Sequence, residues 1–270
     1  MPADTFGPVE KPAVARPLQL ERLRLGDSAA AWSAAGFFVS AEATVTLGKT
    51  LIQCTGQGEP FQGWQIQDCQ IQGSQIQGSQ SQGRQIHGSR IQDWQIQDWQ
   101  IHGRGSGSST PEHPSIDGLR LLPASDQGPS LNSVASQPHP NGITSIDHIV
   151  VSTGDSQRSI AAFESAGFEV RGSRSTSSYG SPMRQTFFWA GDVIVELMGP
   201  DLGEATSESP AQIFGLALVA ADLDSTAAAL GELLGTPKAA VQTGRQIARL
   251  RTNSVGIGLP IAVMSPHLSS

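Results

Sequence analysis

Two residues in this chain have the type and setting that chemistry needs: His148 in SIDHIVVST and Glu196 in DVIVELMGP. Both runs read as strands, in which successive side chains point to opposite faces. Alternation places Ile146, His148, Val150 and Ser152 on one face, with Ile149 and Val151 on the other. In the second run Ile194, Glu196 and Met198 oppose Val193, Val195 and Leu197. If the wholly apolar faces pack on a helix, His148 and Glu196 are left together on the remaining side. Imidazole plus carboxylate makes half of a site for a divalent ion such as Zn, Ni, Fe or Mn. Plainer roles are open to both, because a strand histidine is commonly a hydrogen-bonded structural residue and a flanked glutamate can pair with an arginine. Arg184 and Arg245 are candidate substrate-binding residues, each at the start of a strand-like run. Near a cavity mouth an arginine grips a carboxylate or phosphate with two parallel bonds, whereas a solvated strand end needs no ligand. Phe187, Phe188 and Trp189 could line a pocket, though strand aromatics usually belong to the core.

The elements around these residues repeat. SIDHIVVST is followed by DSQRSIAAFESAGF, an amphipathic helix with Asp155 as its cap. FEVRGS, MRQTFFWA and DVIVELMGP then read as strands. After a Ser/Glu/Pro-rich loop the order recurs, with IFGLALVAA, the helix DLDSTAAALGELLG, and the strands RQIARLR and LPIAVMSP. Asp155 matches Asp222, Gly167 matches Gly235, and MGP matches MSP. Residues 17–66 echo the unit more faintly: the strand LQLERLRL, a short helix with Asp27 as N-cap, and the strand-like runs ATVTL, KTLIQC and GWQIQ. The chain is therefore expected to hold three βαβββ units, the first with its fourth strand expanded into a repeat.

That repeat has a period of five. Ile66, Ile71, Ile76, Ile86, Ile91, Ile96 and Ile101 are evenly spaced, with Ser81 in the missing slot, and FQGWQIQD is its visible source. A pentapeptide solenoid needs small residues two places before each large one, and Trp64, Arg84, Trp94 and Trp99 do not fit there. One apolar residue in five also buries too little to offset ordering. A disordered Gln-rich insertion is the expectation. The boundaries that follow are a disordered tail over 1–16, a degenerate module over 17–66, the insertion with a Pro/Ser/Gly linker over 67–142, and full modules over 143–202 and 211–266.

The segments IDHIVVSTGDSQRSIAAFESAGFEV, GDVIVELMGP and FGLALVAADLDSTAAALGELLG resemble the vicinal-oxygen-chelate (VOC) superfamily. Its members include glyoxalase I, extradiol dioxygenases, methylmalonyl-CoA epimerase and the fosfomycin- and bleomycin-resistance proteins. The resemblance covers about residues 143–266 well and 17–66 weakly, and is most evident toward bacterial glyoxalase-like proteins sharing NGITSIDHIVVST. It implies an α+β fold in which two βαβββ modules form an open mixed-sheet barrel around a cavity. It also implies that His148 and Glu196 stand at metal-ligand positions on first and last strands. The matching positions of the last unit hold Gly215 and Ala262, which cannot ligate through a side chain. In the first unit they hold Leu20 and Gln53, with Glu21 one residue out of register, so Gln53 is an oxygen ligand only if units one and two pair.

Composition narrows the function classes. The 270 residues carry a net charge of −7, and an acidic chain with no Lys/Arg cluster is a poor candidate for binding a nucleic-acid backbone. No run nears the ~18 apolar residues of a membrane span. MPADTFGPVEKPAVARP lacks the apolar stretch of a secretory signal, so a cytoplasmic protein is expected. Two cysteines, Cys54 and Cys69, make neither a disulfide framework nor a CxxC zinc motif. GxGxxG, Walker, GxSxG and HExxH signatures are absent. The leading reading is a small-molecule cavity protein, and for an enzyme the resemblance implies metal-assisted lyase, isomerase or dioxygenase chemistry, with Glu196 as the candidate catalytic general base or ligand, His148 as ligand and an arginine as anion clamp. The rival is a non-catalytic binding protein of the resistance type, favoured by Gly215 and Ala262. A third reading makes the repeat an interaction module, and the two-fold character of such barrels is compatible with a homodimer.

Overall fold

The computed structural model describes residues 18–69, 114–123, 126, 128, 129, 131, 137–176 and 182–267. The tail expected over 1–16, and the pentad tract beyond its first residues, lie outside them. Among the described residues no helix is long and apolar enough to cross a membrane.

The C-terminal half forms one mixed sheet. Its strands are β7 (Ile143–Ser152), β8 (Val170–Thr176), β9 (Met183–Ala190), β10 (Val193–Pro200), β11 (Gln212–Ala220), β12 (Lys238–Ala239), β13 (Gln246–Leu250) and β14 (Ile261–Met264). Their order is β12-β13-β14-β11-β7-β10-β9-β8. Each module lays its first strand parallel to its last, β7 with β10 and β11 with β14. The two modules join edge to edge through antiparallel β7 and β11. This is the α+β arrangement of paired βαβββ modules in an open mixed sheet that the resemblance implied.

Helices α2 (Ser156–Ser165) and α3 (Leu223–Leu230) follow β7 and β11. Asp155 and Asp222 cap them, accepting from the amides of Arg158 (2.9 Å) and Ser225 (2.6 Å) and so satisfying otherwise orphaned donors. α3 stops at Leu230 because Gly231 turns left-handed (φ 53°). Gly235, expected to close that helix, lies beyond a further 3-10 turn over Gly231–Leu233.

The N-terminal unit contains β1 (Gln19–Leu25), α1 (Ala29–Ala34), β2 (Thr44–Leu47), β3 (Thr50–Cys54) and β4 (Phe61–Gln67), in a separate sheet ordered β2-β3-β1-β4. Two departures from expectation stand out. Ser28, not Asp27, caps α1 by accepting from the Ala31 amide (3.1 Å). Asp27 instead accepts from Trp32 Nε1 (3.0 Å) and from the Gly258 amide (2.8 Å), tying this unit to the last one. The parallel partner of β1 is β3, and β4 pairs antiparallel on the opposite edge of β1. That is the place β11 takes beside β7, so β4 is not a fourth strand of its own module. Within the stretch read as linker, β5 (Ser115–Ile116) and β6 (Leu119–Arg120) make a small hairpin, and Leu121 bridges to Trp64.

One apolar core unites these parts. Ile149, Val151, Val195, Leu197, Leu216, Leu218, Ile261 and Val263 face it from the large sheet, with Phe163 of α2, Leu223 and Leu230 of α3, and Trp32 of α1. Leu20, Leu23 and Trp64 enter from the small sheet. Phe163 stacks on Phe188 with ring centroids 4.9 Å apart and meets Trp64 edge-on at 6.1 Å. Each such aromatic contributes roughly 1.5–3 kcal/mol by burial. The small sheet thus packs on the helix side of the large one, and the opposite face of the large sheet is its inner face.

Candidate functional site

A β-bulge decides which side chains reach that inner face. Ala217 pairs with His148 and Leu218 with Ile146, leaving Asp147 as an extra residue in β7. A bulge of this kind breaks the two-residue alternation. Ile146, expected on the same face as His148, therefore enters the helix-side core. Asp147, expected opposite His148, reaches the same side: the Nδ1–H of His148 donates to Asp147 Oδ2 at 2.8 Å.

From this pair a polar chain runs both ways. Nε2 of His148 lies 4.0 Å from Glu196 Oε2. Gln185 of β9 donates from Nε2 to Glu196 Oε1 (2.7 Å), and Arg174 of β8 donates to Gln185 Oε1. In the other direction Arg245 Nη2 meets Asp147 Oδ1 at 2.8 Å, and His267 Nε2 stands 3.3 Å from the same oxygen. Arg245 is also held by the carbonyl of Ser265 (3.0 Å) and by Gln242. His148, Glu196, Asp147 and Arg245 are all buried. A carboxylate, an imidazole, a second carboxylate and a guanidinium thus line up across the junction of the two modules.

Their electrostatics diverge. Burial alone would raise the Asp147 carboxyl, but hydrogen bonds from His148 and His267, with the charges of His148 and Arg245, outweigh it and hold Asp147 well below the usual range. At Glu196 burial dominates over His148, Arg174 and Gln185, and pushes the carboxyl up. The two inner-face carboxyls flanking one imidazole are thus shifted in opposite directions, Asp147 by its partners and Glu196 by its burial.

Four residues of this chain have no signal in local sequence. Asp147 is placed by the bulge, Gln185 and Arg174 by strand order, and His267 by a C-terminal segment that reads as tail. Of the sequence candidates, His148, Glu196 and Arg245 come together. Arg184 does not join them: it bonds Ser173 Oγ (2.7 Å) and faces Asp201 (3.6 Å) at the end of β9. Phe188 is core, Phe187 is buried with Arg174 6.0 Å from its ring centroid, and Trp189 is exposed. Burial pushes the Cys54 thiol up to about 12, far from a nucleophile's range.

The other module's half of the inner face is apolar. Val150 pairs with Glu196, and the corresponding pair is Ala217 with Ala262. Ala217, Ile247 and Met264 form a separate small cluster against which Ala262 packs. At Gly215 an added Cβ would sit 2.7 Å from the Pro260 carbonyl oxygen, so that position cannot take a ligating side chain without moving the strand. The donors fit a resident metal poorly. His148 and Glu196 are two ligands, the amide oxygen of Gln185 is turned to Arg174, and among the described residues no group of three or more His, Cys, Asp or Glu is arranged to hold an ion.

No protein-family model and no curated protein matches the chain. Solved structures similar to it include methylmalonyl-CoA epimerase from Mycobacterium tuberculosis, at 18% identity and TM-score 0.36, covering 49% of this chain and 92% of that one. A Streptomyces coelicolor methylmalonyl-CoA epimerase in complex with 2-nitronate-propionyl-CoA matches at 20% identity and TM-score 0.35, covering 46% and 99%. A hypothetical protein from Bacillus halodurans matches at 16% and 0.35, covering 46% and 96%. Scores of this size say nothing of chemistry, and the fold rests on the strand pairing described above.

Proposed function

We propose that the inner face of the eight-stranded sheet binds a small organic molecule in the manner of a vicinal-oxygen-chelate protein, and does so without a resident metal. The observation that carries this is the buried chain Glu196, His148, Asp147, Arg245 beside an apolar half built from Ala217, Ile247, Met264 and Ala262. One wall offers hydrogen bonds and charge, the other offers area, which suits an amphipathic ligand. The missing donors at Gly215 and Ala262 favour binding over metal-dependent lyase, isomerase or dioxygenase chemistry. The test is metal analysis of the purified full-length protein together with a thermal-shift screen of small organic acids and aromatics. Expected are no stoichiometric metal, and a ligand whose stabilisation is lost in Glu196→Gln. Stoichiometric metal that disappears in His148→Ala would overturn the reading.

A second reading is favoured by one feature, a carboxyl raised by burial beside an imidazole that is itself oriented by Asp147. In it Glu196 removes a proton from a carbon acid, and His148 with Asp147 fixes the charge distribution around it. The check is exchange of a ligand C–H for deuterium in D2O. It should occur with the parent and not with Glu196→Gln.

A further inference from the structure

The small N-terminal sheet repeats the inner-face geometry of the large one with other side chains. In β1 and β4, Leu20 pairs with Ile66 and Arg22 with Gln65, leaving Glu21 extra. In β7 and β11, Ile146 pairs with Leu218 and His148 with Ala217, leaving Asp147 extra. A second shift follows at the same distance in both, between Arg24 and Leu25 and between Val150 and Val151. Arg24 pairs in parallel with Gln53 as Val150 does with Glu196. Arg22 thus occupies the place of His148, Gln53 that of Glu196, and Glu21 that of Asp147.

The substitutions change the sign of the face. Arg22 and Arg24 lie on one side, and Arg24 donates from Nε to Gln53 (3.1 Å). An open groove of about 560 Å³ runs beside Arg24, lined by it with Gln53, Thr55, Gln57, Gly58 and Gln62, and Arg22 lies outside that lining. One carboxylate, Asp126, serves both arginines: it is paired closely with Arg24 but stands 3.9 Å from Arg22 Nη1. The Arg22 side chain is only 5% exposed, and its Nε and Nη1 have no hydrogen-bond partner among the described residues. Gly128 lies against this guanidinium, where any Cβ would collide with Nη1. A guanidinium cannot shed its proton to escape burial, so N–H groups left over in such a place await an acceptor. Burial pulls Arg22 below its ordinary value, with Asp126 opposing.

We propose that this face is an oxyanion site for a small molecule bearing a carboxylate or phosphate group, gripped by Arg24 and Arg22, and that Asp126 is the chain's own stand-in for that group. The planar fork of arginine suits both chemistries. The site lies on a different sheet from the one discussed under Proposed function and shares no residue with it, so either can fail alone.

The experiment is calorimetric titration of the full-length protein at low ionic strength, with inorganic phosphate and with succinate as separate probes. Removing the stand-in with Asp126→Asn should tighten one probe roughly ten-fold, the equivalent of one charge-assisted hydrogen bond. The probe that responds identifies the group. Adding Arg24→Gln should abolish the gain. The proposal is overturned if neither probe tightens, or if the gain survives Arg24→Gln. Should Asp126→Asn fail to fold, the same contrast is read between the parent and Arg24→Gln alone. Saturable binding lost in the variant supports the site, and identical heats overturn it.

Discussion

The β1/β4 pair and the β7/β11 pair have two register shifts in common, yet one presents Glu21 and Arg22 where the other presents Asp147 and His148. Their surroundings differ as much as their residues. Asp147 is buried between His148 and Arg245, while Glu21 is half-buried and accepts from Gln65 Nε2 (2.9 Å). Backbone geometry alone therefore fixes where a polar pair points, and its setting fixes what the pair does for stability and chemistry.

The sharpest way to break this comparison is to delete the bulge carboxylates. Asp147→Ala leaves the Arg245 guanidinium buried without its partner and should cost about 3–5 kcal/mol in urea unfolding, whereas Glu21→Gln should cost under about 1 kcal/mol. Equal losses would mean the two settings are alike after all. Next comes Gly215→Ala, whose new methyl meets the Pro260 carbonyl oxygen at 2.7 Å. A loss of about 1–3 kcal/mol is expected from such overpacking, and a neutral result would reopen that position to a ligating side chain.

Acid and base titration should separate the two inner-face carboxyls. Asp147 is depressed in the fold, so its contribution is present above its unfolded value and lost as pH falls. Glu196 is raised, so its contribution is present below its unfolded value and lost as pH rises through the folded one. Glu196→Gln should therefore match the parent in acid and become relatively more stable as pH increases, read from denaturation midpoints across pH. A constant difference would show that Glu196 does not titrate as its burial requires. The smallest effect is expected at Lys49, whose ion pair with Asp192 (2.7 Å) links turns of the two sheets with both side chains about two-thirds exposed. Lys49→Ala should shift stability by no more than about 0.5 kcal/mol.

Local pattern revealed the strands and helices well, because apolar alternation and capping aspartates are near-neighbour properties. β9 falls on MRQTFFWA, and Asp155 and Asp222 cap as read. What escaped was non-local. Nothing in SIDHIVVST marks Asp147 as the bulged residue, since the extra residue is defined only against β11. The order β2-β3-β1-β4 depends on which edge of β1 the chain returns to. His139 and His267 read as linker and tail residues. Yet His139 accepts from the Phe38 amide (3.0 Å) and sits 2.8 Å from the Thr46 carbonyl, while His267 stands beside Asp147. Arg184 shows the converse, a residue well placed in sequence whose partners are Ser173 and Asp201.

Because the bulge turns two consecutive residues toward one side, a polar pair is written in this fold as a single dipeptide. Asp-His in one sheet and Glu-Arg in the other are two entries in the same two-letter slot. The two pairs differ in their charged groups within a shared strand pairing.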